Sequence, residues 1–361
     1  MIFKGIFVLA KVFKKKNKAL LGVDISSTSV KLLELSQVNG RYRVEGYARE
    51  ALPANAVIDQ NIEDDEAVGE AVRKAFSRIH TTTKQAAVAV SGAAAITKVI
   101  QMPEGLSDSD MDLQIRAEAD QHIPYPLDEV ALDWEVQGPS LLSKDRVDVL
   151  LAACRSETVE RRKDAAEYSG LNVTVVDVEA YCVERASPLL LSQLKGFESE
   201  TIAIVDIGMT TTSLNVVHHG KSIYTREQLF GERQLIEEAS RRYAMSEADV
   251  IRAQAEGGLP SDYEAEVLEP FRRSVVQQIS RSLQFFYSSS QFNDVDCIVL
   301  AGSVAPTPRL VDMVQDALAV PAVVANPFVD MTLSNNVNPN LLSSDASSLL
   351  VACGLAMRSF A

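Results

Sequence analysis

Two blocks of the chain repeat one order of apolar and polar positions. Residues near 19–24, 29–37 and 41–49 read as strands, an apolar run followed by period-two alternation, and a helix with an acidic start follows at about 63–79. Strands near 201–206, 211–218 and 221–228 and a helix at about 231–243 repeat that order. Between the blocks, "QAAVAV" and "ITKVIQM" read as strands. "SDSDMDLQIRAEADQH" is a helix that stops before "IPYP", and "VALDWEV" and "RVDVLLAAC" are strands again. "SETVERRKDAAEYSG" reads as a helix with Ser156 as N-cap and Gly170 at its end, and "NVTVVDVEAYCVERA" runs from a strand into a helix expected to cross toward the second block. Later, "SEADVIRAQAEGG" is helical. "LEPFRRSVVQQISRSLQFFYSSS", with Pro270 near its first turn, places Phe271, Val275, Ile279, Leu283 and Phe286 on one core-facing stripe. "DCIVLAGSVAPTPRL" reads as a buried strand, a Gly/Ser turn and a helix from about Thr307; a strand "AVVA" and a helix "DASSLLVACGLAMR" close the chain.

The blocks share more than element order. "LLGVDISSTSVKLLEL" and "IAIVDIGMTTTSLNVV" each run from a buried strand through an aspartate into a turn of small hydroxylated or glycine residues, with Asp24 and Asp206 lying 182 positions apart. That spacing is too long for a solenoid repeat of roughly 20 to 50 residues and fits a duplicated domain with facing halves. A tight hairpin of this kind turns backbone N–H groups outward into a concavity for phosphate oxygens. Ser26, Ser27, Thr28, Thr210, Thr211 and Thr212 add hydroxyl donors. Asp24 and Asp206 would repel phosphate, but they suit a hydrated Mg2+, which binds through one or two carboxylates plus phosphate. Two such hairpins facing each other would clamp a nucleotide; the alternative is that both aspartates are ordinary turn residues.

At 361 residues the chain exceeds a single core, and 47% apolar with 23% charged residues marks a soluble globular protein. The formal charge is −14; six lysines in the first 18 residues leave −20 for the rest, which argues against a nucleic-acid footprint. The tail "MIFKGIFVLAKVFKKKNK" has an apolar stretch interrupted by Lys4 and Lys11, shorter than the roughly 20 residues a bilayer requires. It suits an interfacial anchor, with a partner-docking segment or a frayed terminus as alternatives. Cys154, Cys182, Cys297 and Cys353 sit in apolar runs without metal-ligand spacing, as buried thiols of a reducing compartment do. His80, His122, His218 and His219 are scattered, the last two beside a hairpin turn and expected at the surface.

There is no P-loop and no G-x-G-x-x-G turn, so phosphates would bind by hairpins. "VLAGSVAP" adds a turn at Gly302 and Ser303 whose backbone can approach a flat base or ribose. Taken together, these features resemble the actin-like ATPase superfamily, including FtsA and the heat-shock chaperone ATPases. The sequence is most similar to the PilM family of type IV pilus assembly, through "LGVDISSTSVKLLEL", "EADQHIPYPLDEVALDWEV", "VDVLLAACR", "VVDVEAY", "IAIVDIG", "YTREQLFGERQL", "RSLQFFY" and "ACGLAMR", over residue 19 to the C-terminus.

The resemblance implies an α/β, duplicated actin-like (ribonuclease H-like) ATPase fold with an inserted α+β subdomain of the FtsA-like type. The expected organisation is a tail at 1–18, a first lobe at 19–83 completed by a crossing segment at 173–200, an insert at 84–172, and a second lobe at 201–361 with a helical subdomain at about 231–290. It implies that Asp24 to Thr28, with Lys31, form one phosphate loop and Asp206 to Thr211, with Gly208, the other. Asp24 and Asp206 would serve Mg2+, Gly231 and Glu232 would lie on the ribose side of ATP or ADP, and Gly302 and Ser303 would border the adenosine. Glu179 on the crossing segment matches a water-positioning residue, with Asp206 as the second catalytic candidate; a plain helix-start acid is the alternative for Glu179.

Two departures from the family pattern stand out: Ser26 where glycine is common, and "AGS" where a double glycine is usual. Either could slow hydrolysis, leaving at most a weak ATPase. The implied partner is a PilN-like inner-membrane protein whose short cytoplasmic N-terminal segment docks in a groove of the first domain. Other pilus-assembly proteins, self-association and a cytoplasmic place peripheral to the inner membrane are further implications. The insert would make protein contacts, or serve as a connector packed on the core. Competing functions are a nucleotide-retaining adaptor without hydrolysis and a small-metabolite kinase, for which no base and polar substrate pocket can be found.

Overall fold

The computed structural model describes residues 19–140, 143–194 and 200–360; the basic tail lies outside them. The described residues form two units, one of residues up to 182 together with those from 351 on, and the other of those from 183 to 350.

In the first unit, β1 (Leu21–Ile25), β2 (Ser29–Val38) and β3 (Arg41–Ala51) form an antiparallel meander. The hairpin of β4 (Val57–Ile58) and β5 (Asn61–Ile62) leads into α1 (Asp65–Arg78), capped by Asp64, whose side chain accepts from the Ala67 N–H. β6 (Gln85–Val90) then pairs parallel with β1. A three-stranded antiparallel sheet of β7 (Ala95–Pro103), β8 (Val130–Pro139) and β9 (Arg146–Arg155), with β9 central, carries α2 (Asp108–Ala119) and its own core of Ile100, Met111, Ile115, Val149 and Leu151. α3 (Ser156–Glu167) and β10 (Asn172–Val178) return to the main sheet, whose order is β10-β6-β1-β2-β3.

The inserted sheet is therefore narrower than the sequence suggests. β6 pairs with β1 and β10 pairs with β6, while Val159, Ala165 and Ala166 of α3 join the core of the main sheet. Apolar runs buried on both faces, such as "QAAVAV", read alike in either sheet. Ser156 is the first residue of α3 and not its N-cap; Arg155 precedes it without a side-chain capping bond.

α4 (Glu179–Ala186) crosses the division between the units. In the second unit, β11 (Thr201–Ile207), β12 (Thr212–His218) and β13 (Lys221–Gln228) repeat the meander. α5 (Glu232–Tyr243), α6 (Glu247–Glu256) and α7 (Glu269–Ser289) follow, then β14 (Cys297–Ala301), α8 (Leu310–Leu318) and β15 (Ala322–Val324). The sheet order β13-β12-β11-β14-β15, with β14 and β15 parallel to β11, matches that of the first unit strand for strand. The duplication expected from the two aspartate hairpins is thus present in the topology.

The structure differs from the sequence reading in four further places. A π-helical turn at Glu264–Leu268 precedes α7 without a break, so Pro270 does not open a free helix end; Pro270 has no N–H to give, and the wider turn absorbs the loss. α8 starts at Leu310 rather than near Thr307, because Pro308 disfavours helix at the residue before it and Arg309 is left-handed with φ 64°. The closing helix is broken into α9 (Pro339–Asp345), a 3-10 turn, and α10 (Leu350–Met357). Residues from Val351 on belong to the first unit: Leu20 N donates to Ser359 Oγ at 2.7 Å, and a Cβ at Gly354 would lie 2.0 Å from the Cys182 carbonyl oxygen.

Candidate functional site

In the first unit the site is built on the carboxyl ends of parallel strands, where open α/β sheets bind ligands. β1 ends at Asp24 and Ile25 and β10 at Val178, with β6 between them; Glu179, half-buried, opens α4 directly after β10. Asp24 faces Lys31 across the β1–β2 ladder, and Lys31 Nζ donates to Asp24 Oδ2 at 2.9 Å with both side chains under a tenth exposed. Beyond Ile25 the chain turns through Ser26, Ser27 and Thr28, all half-buried. Ser26 N donates to Ser29 O at 3.0 Å, and Leu52 N donates to Thr28 O at 2.8 Å, tying the loop to the end of β3. None of the three residues has positive φ, so Ser26 sits here without the backbone freedom of glycine.

The second unit repeats the turn with the same offset. Gly208 N donates to Thr211 O at 2.9 Å, each position 182 beyond Ser26 and Ser29. Asp206 pairs in the ladder with Ser213, the position equivalent to Lys31. Thr210 and Thr211 are half-buried at the tip, while Thr212 is buried and donates its hydroxyl to Phe230 O at 2.8 Å, so its one donor is already committed.

Two glycines press onto this hairpin. A Cβ at Gly231 would lie 2.4 Å from Gly208 O and 2.5 Å from Met209 O, and the start of α5 is bonded to the same two carbonyls through Glu232 N at 3.0 Å and Arg233 N at 2.8 Å. Gly302, left-handed at φ 87°, directly follows β14; a Cβ there would lie 2.3 Å from Ile207 O and 2.6 Å from Asp206 Oδ1. Ser347 fixes the Gly302 peptide from both sides, accepting from its N–H at 2.8 Å and donating from Oγ to its carbonyl at 3.0 Å. Ser303 Oγ donates to Glu232 Oε2 at 2.8 Å. Asp206, Gly208, Gly231, Glu232, Gly302 and Ser303 are thus brought together around the second hairpin.

Sequence reasoning missed two arginines. Arg272 is 1% exposed; its Nη1 donates to Glu264 Oε1 at 2.7 Å and Glu269 Oε2 at 3.1 Å, while Nε and Nη2 lack a partner. That donation holds the Glu264 carboxyl below the usual carboxylate range. The cluster adjoins Glu232: burial and the negative charges of Glu232 and Glu264 push the Tyr263 phenol up, against the bond from Gln254. Arg162, 2% exposed on α3, belongs to the first unit. A polar cavity of about 260 Å³ is lined there by Gln60, Glu63, Arg155, Thr158, Arg161 and Arg162. Arg162 shares a helical face with Val159 and Ala166, a signal readable only as an arginine on an apolar stripe.

Among the described residues no group of three potential metal ligands occurs. The type IV pilus assembly protein PilM family model matches residues 22–360. The chain belongs to the PilM family. Solved structures agree on an actin-like ATPase fold. The PilM-PilN type IV pilus biogenesis complex matches with a TM-score of 0.79 at 23% identity, over 96% of this chain and 99% of that one. The ethanolamine utilization protein EutJ from Carboxydothermus hydrogenoformans follows at 0.54 and 15%, over 94% and 89%. MreB5 of Spiroplasma citri bound to ADP gives 0.50 and 12%, over 94% and 95%. No single helix among the described residues of this PilM-family chain is long and apolar enough to cross a membrane.

Proposed function

We propose that this PilM-family protein is a nucleotide-binding assembly protein of the type IV pilus inner-membrane platform. It takes ATP or ADP at the aspartate hairpins and binds the short cytoplasmic N-terminal segment of a PilN-like membrane protein. The observation that carries the nucleotide reading is the repeated aspartate hairpin, closed by Gly208 N to Thr211 O in the second unit at the same offset as Ser26 N to Ser29 O in the first. Gly231 and Gly302 let the start of α5 and the end of β14 pack directly on the second hairpin and so fix its shape. Ser26, Ser27, Thr28 and Lys31 supply the first loop's donors, and Gly208, Thr210 and Thr211 the second's. Gly231 and Glu232 lie on the ribose side, and Gly302 and Ser303 border the adenosine. Asp24 and Asp206 would hold Mg2+, which supplies charge neutralisation at the phosphates. Glu179, with Asp206, orients water if hydrolysis occurs.

The test is the nucleotide content of the purified protein and its titration with ADP and Mg2+. Asp24→Ala and Asp206→Ala are each expected to abolish Mg-dependent retention; full retention in both would refute the reading. A second reading, an adaptor that retains nucleotide without turnover, is kept open by Ser26 and Ser303, which stand at turns where the resemblance leads one to expect glycine. Phosphate release measured with and without a PilN-type peptide separates the two.

For the partner, the polar cavity of the first unit is the docking place we favour. It opens where the inserted sheet meets α3, and Arg155 there lies over the Tyr125 ring at 4.1 Å. Arg155→Ala is expected to weaken a PilN-type N-terminal peptide at least tenfold in a titration; unchanged affinity removes the cavity from consideration. The protein's place is cytoplasmic and peripheral to the inner membrane, helped by the six lysines of the first 18 residues. Deleting residues 1–16 should abolish co-sedimentation with anionic vesicles, and unchanged partitioning rules out an anchor.

A further inference from the structure

The two ligand sites proposed for the first unit are joined by one side chain. Arg162 Nη1 donates to Ile25 O at 2.7 Å, and its Nη2 donates to Gln60 O at 2.6 Å. Ile25 is the last residue of β1, next to Asp24 on one side and Ser26 on the other, so its carbonyl is the root of the first loop. Gln60 lines the cavity and lies at the tip of the β4–β5 hairpin.

That tip is an unusual turn. Asp59 and Gln60 have φ of 45° and 69°, both left-handed and neither glycine, in a two-residue connection that normally favours Asn-Gly or Asp-Gly. L-residues keep such a conformation only where neighbours hold it. Two neighbours do so from α3: Arg162 at Gln60 O, and Arg161, whose Nη1 donates to Ile62 O at 2.6 Å. Only Arg162 also reaches the loop.

A guanidinium is a rigid planar fork, so two carbonyls bound by its two ends keep a fixed spacing. Displacing the hairpin tip must therefore move Ile25 O or break one of two bonds, the one to Ile25 O buried and the one to Gln60 O partly buried, and either event changes the support of the loop that starts at Ser26. A segment entering the cavity meets the Gln60 wall and Arg162 together.

We infer that Arg162 is a positioning residue that couples occupancy of the polar cavity to nucleotide affinity at the first phosphate loop. The inference rests on the proposed function, with nucleotide at Asp24–Thr28 and a partner segment in the cavity. Because coupling between binding sites is reciprocal, nucleotide must shift the partner's affinity by the same factor.

The test uses the full chain, ADP with Mg2+, and a synthetic PilN-type N-terminal peptide, titrating each ligand with and without saturation by the other. The unaltered protein should show a reciprocal shift of at least about fivefold. Arg162→Lys keeps the charge but cannot span both carbonyls, and Arg162→Met removes both bonds. Each should bring the ratio to about one; the ratio compares each ligand's affinity with and without the other in the same variant, so a change in peptide affinity from the altered cavity wall cancels. Arg161→Met, which touches the hairpin but not the loop, should keep the shift. Circular dichroism and thermal melts confirm folding, and Arg162→Lys serves if Arg162→Met does not fold. A shift that persists in folded Arg162→Lys overturns the inference, as does independent binding in the unaltered protein. Failure of the unaltered protein to bind either ligand at all overturns the functional reading beneath it.

Discussion

Lys31 Nζ donates to Asp24 Oδ2 at 2.9 Å across the first hairpin, whereas Asp206, the equivalent aspartate, faces Ser213. The duplicated turns therefore carry different charge. In the first copy the carboxylate is paired with a buried cation, and in the second the same ladder position holds a neutral hydroxyl. An anion approaching the first loop meets Lys31 as a donor that already has an orientation, and a metal approaching it must compete with that lysine for Asp24.

Breaking the first pair should be costly, because a buried charge left without its partner destabilises by about 3 kcal/mol or more. Lys31→Met alone is expected to lose that much in urea denaturation. Lys31→Met combined with Asp24→Asn should lose clearly less than the sum of the two single changes. Additive losses would mean that the two side chains do not interact.

Gly302→Ala tests the packing of the late turn on the second hairpin. The left-handed φ of 87° costs an L-residue roughly 1 kcal/mol or more, and a Cβ placed 2.3 Å from Ile207 O must push the hairpin away. The expected outcome is a loss of at least about 2 kcal/mol in stability together with weakened ADP binding. Gly208→Ala is the contrast, because its Cβ would come no closer than 3.4 Å to Thr211 O; it should fold nearly normally.

Much of this was legible in the sequence because it is local. Asp24 and Asp206 at the ends of apolar runs, with small residues after them, specify the turns without reference to anything distant. The stripe from Phe271 to Phe286 is likewise a matter of spacing along one helix, and all five of its residues are buried. What was not legible depends on partners far away in the chain. That β6 belongs to the main sheet follows from pairing with β1 and β10, which a strand buried on both faces does not announce. That the last residues return to the first unit depends on Gly354 meeting Cys182, and that Arg162 matters depends on carbonyls more than 100 positions upstream. His218, expected at the surface, is half-buried, with Nδ1 2.8 Å from Thr201 Oγ1 and its ring edge-on to Phe292.

The cysteines give a pH prediction. Burial pushes the Cys154 and Cys297 thiols up to about 11, and burial also raises Cys353. An unfolded thiol loses its proton at about pH 8.5, so between there and about 11 the unfolded chain sheds protons that the folded chain keeps. The contribution is complete below about pH 8.5 and is lost as pH rises through that window. Urea midpoints should fall from pH 8 to pH 10 more steeply in the unaltered protein than in Cys154→Ala/Cys297→Ala. Parallel pH profiles would show that these thiols are not held protonated by the fold.

The bond from Ser303 Oγ to Glu232 Oε2 sets the last expectation, because the proposed ribose-side carboxylate is satisfied before any ligand arrives. A ribose hydroxyl donating to Glu232 must displace the serine, exchanging one hydrogen bond for another. Ser303→Gly removes the competitor, restores the second glycine common in the superfamily, and leaves Glu232 open to the ligand. One exposed hydrogen bond is worth about 1 kcal/mol, so ADP should bind roughly fivefold more tightly in the variant. Because the gain arises at the ribose side, 2′,3′-dideoxy-ADP should show none of it. Equal gains for both nucleotides would place the effect in the width of the turn rather than in Glu232, and a weaker ADP affinity would mean that Ser303 itself contacts the nucleotide.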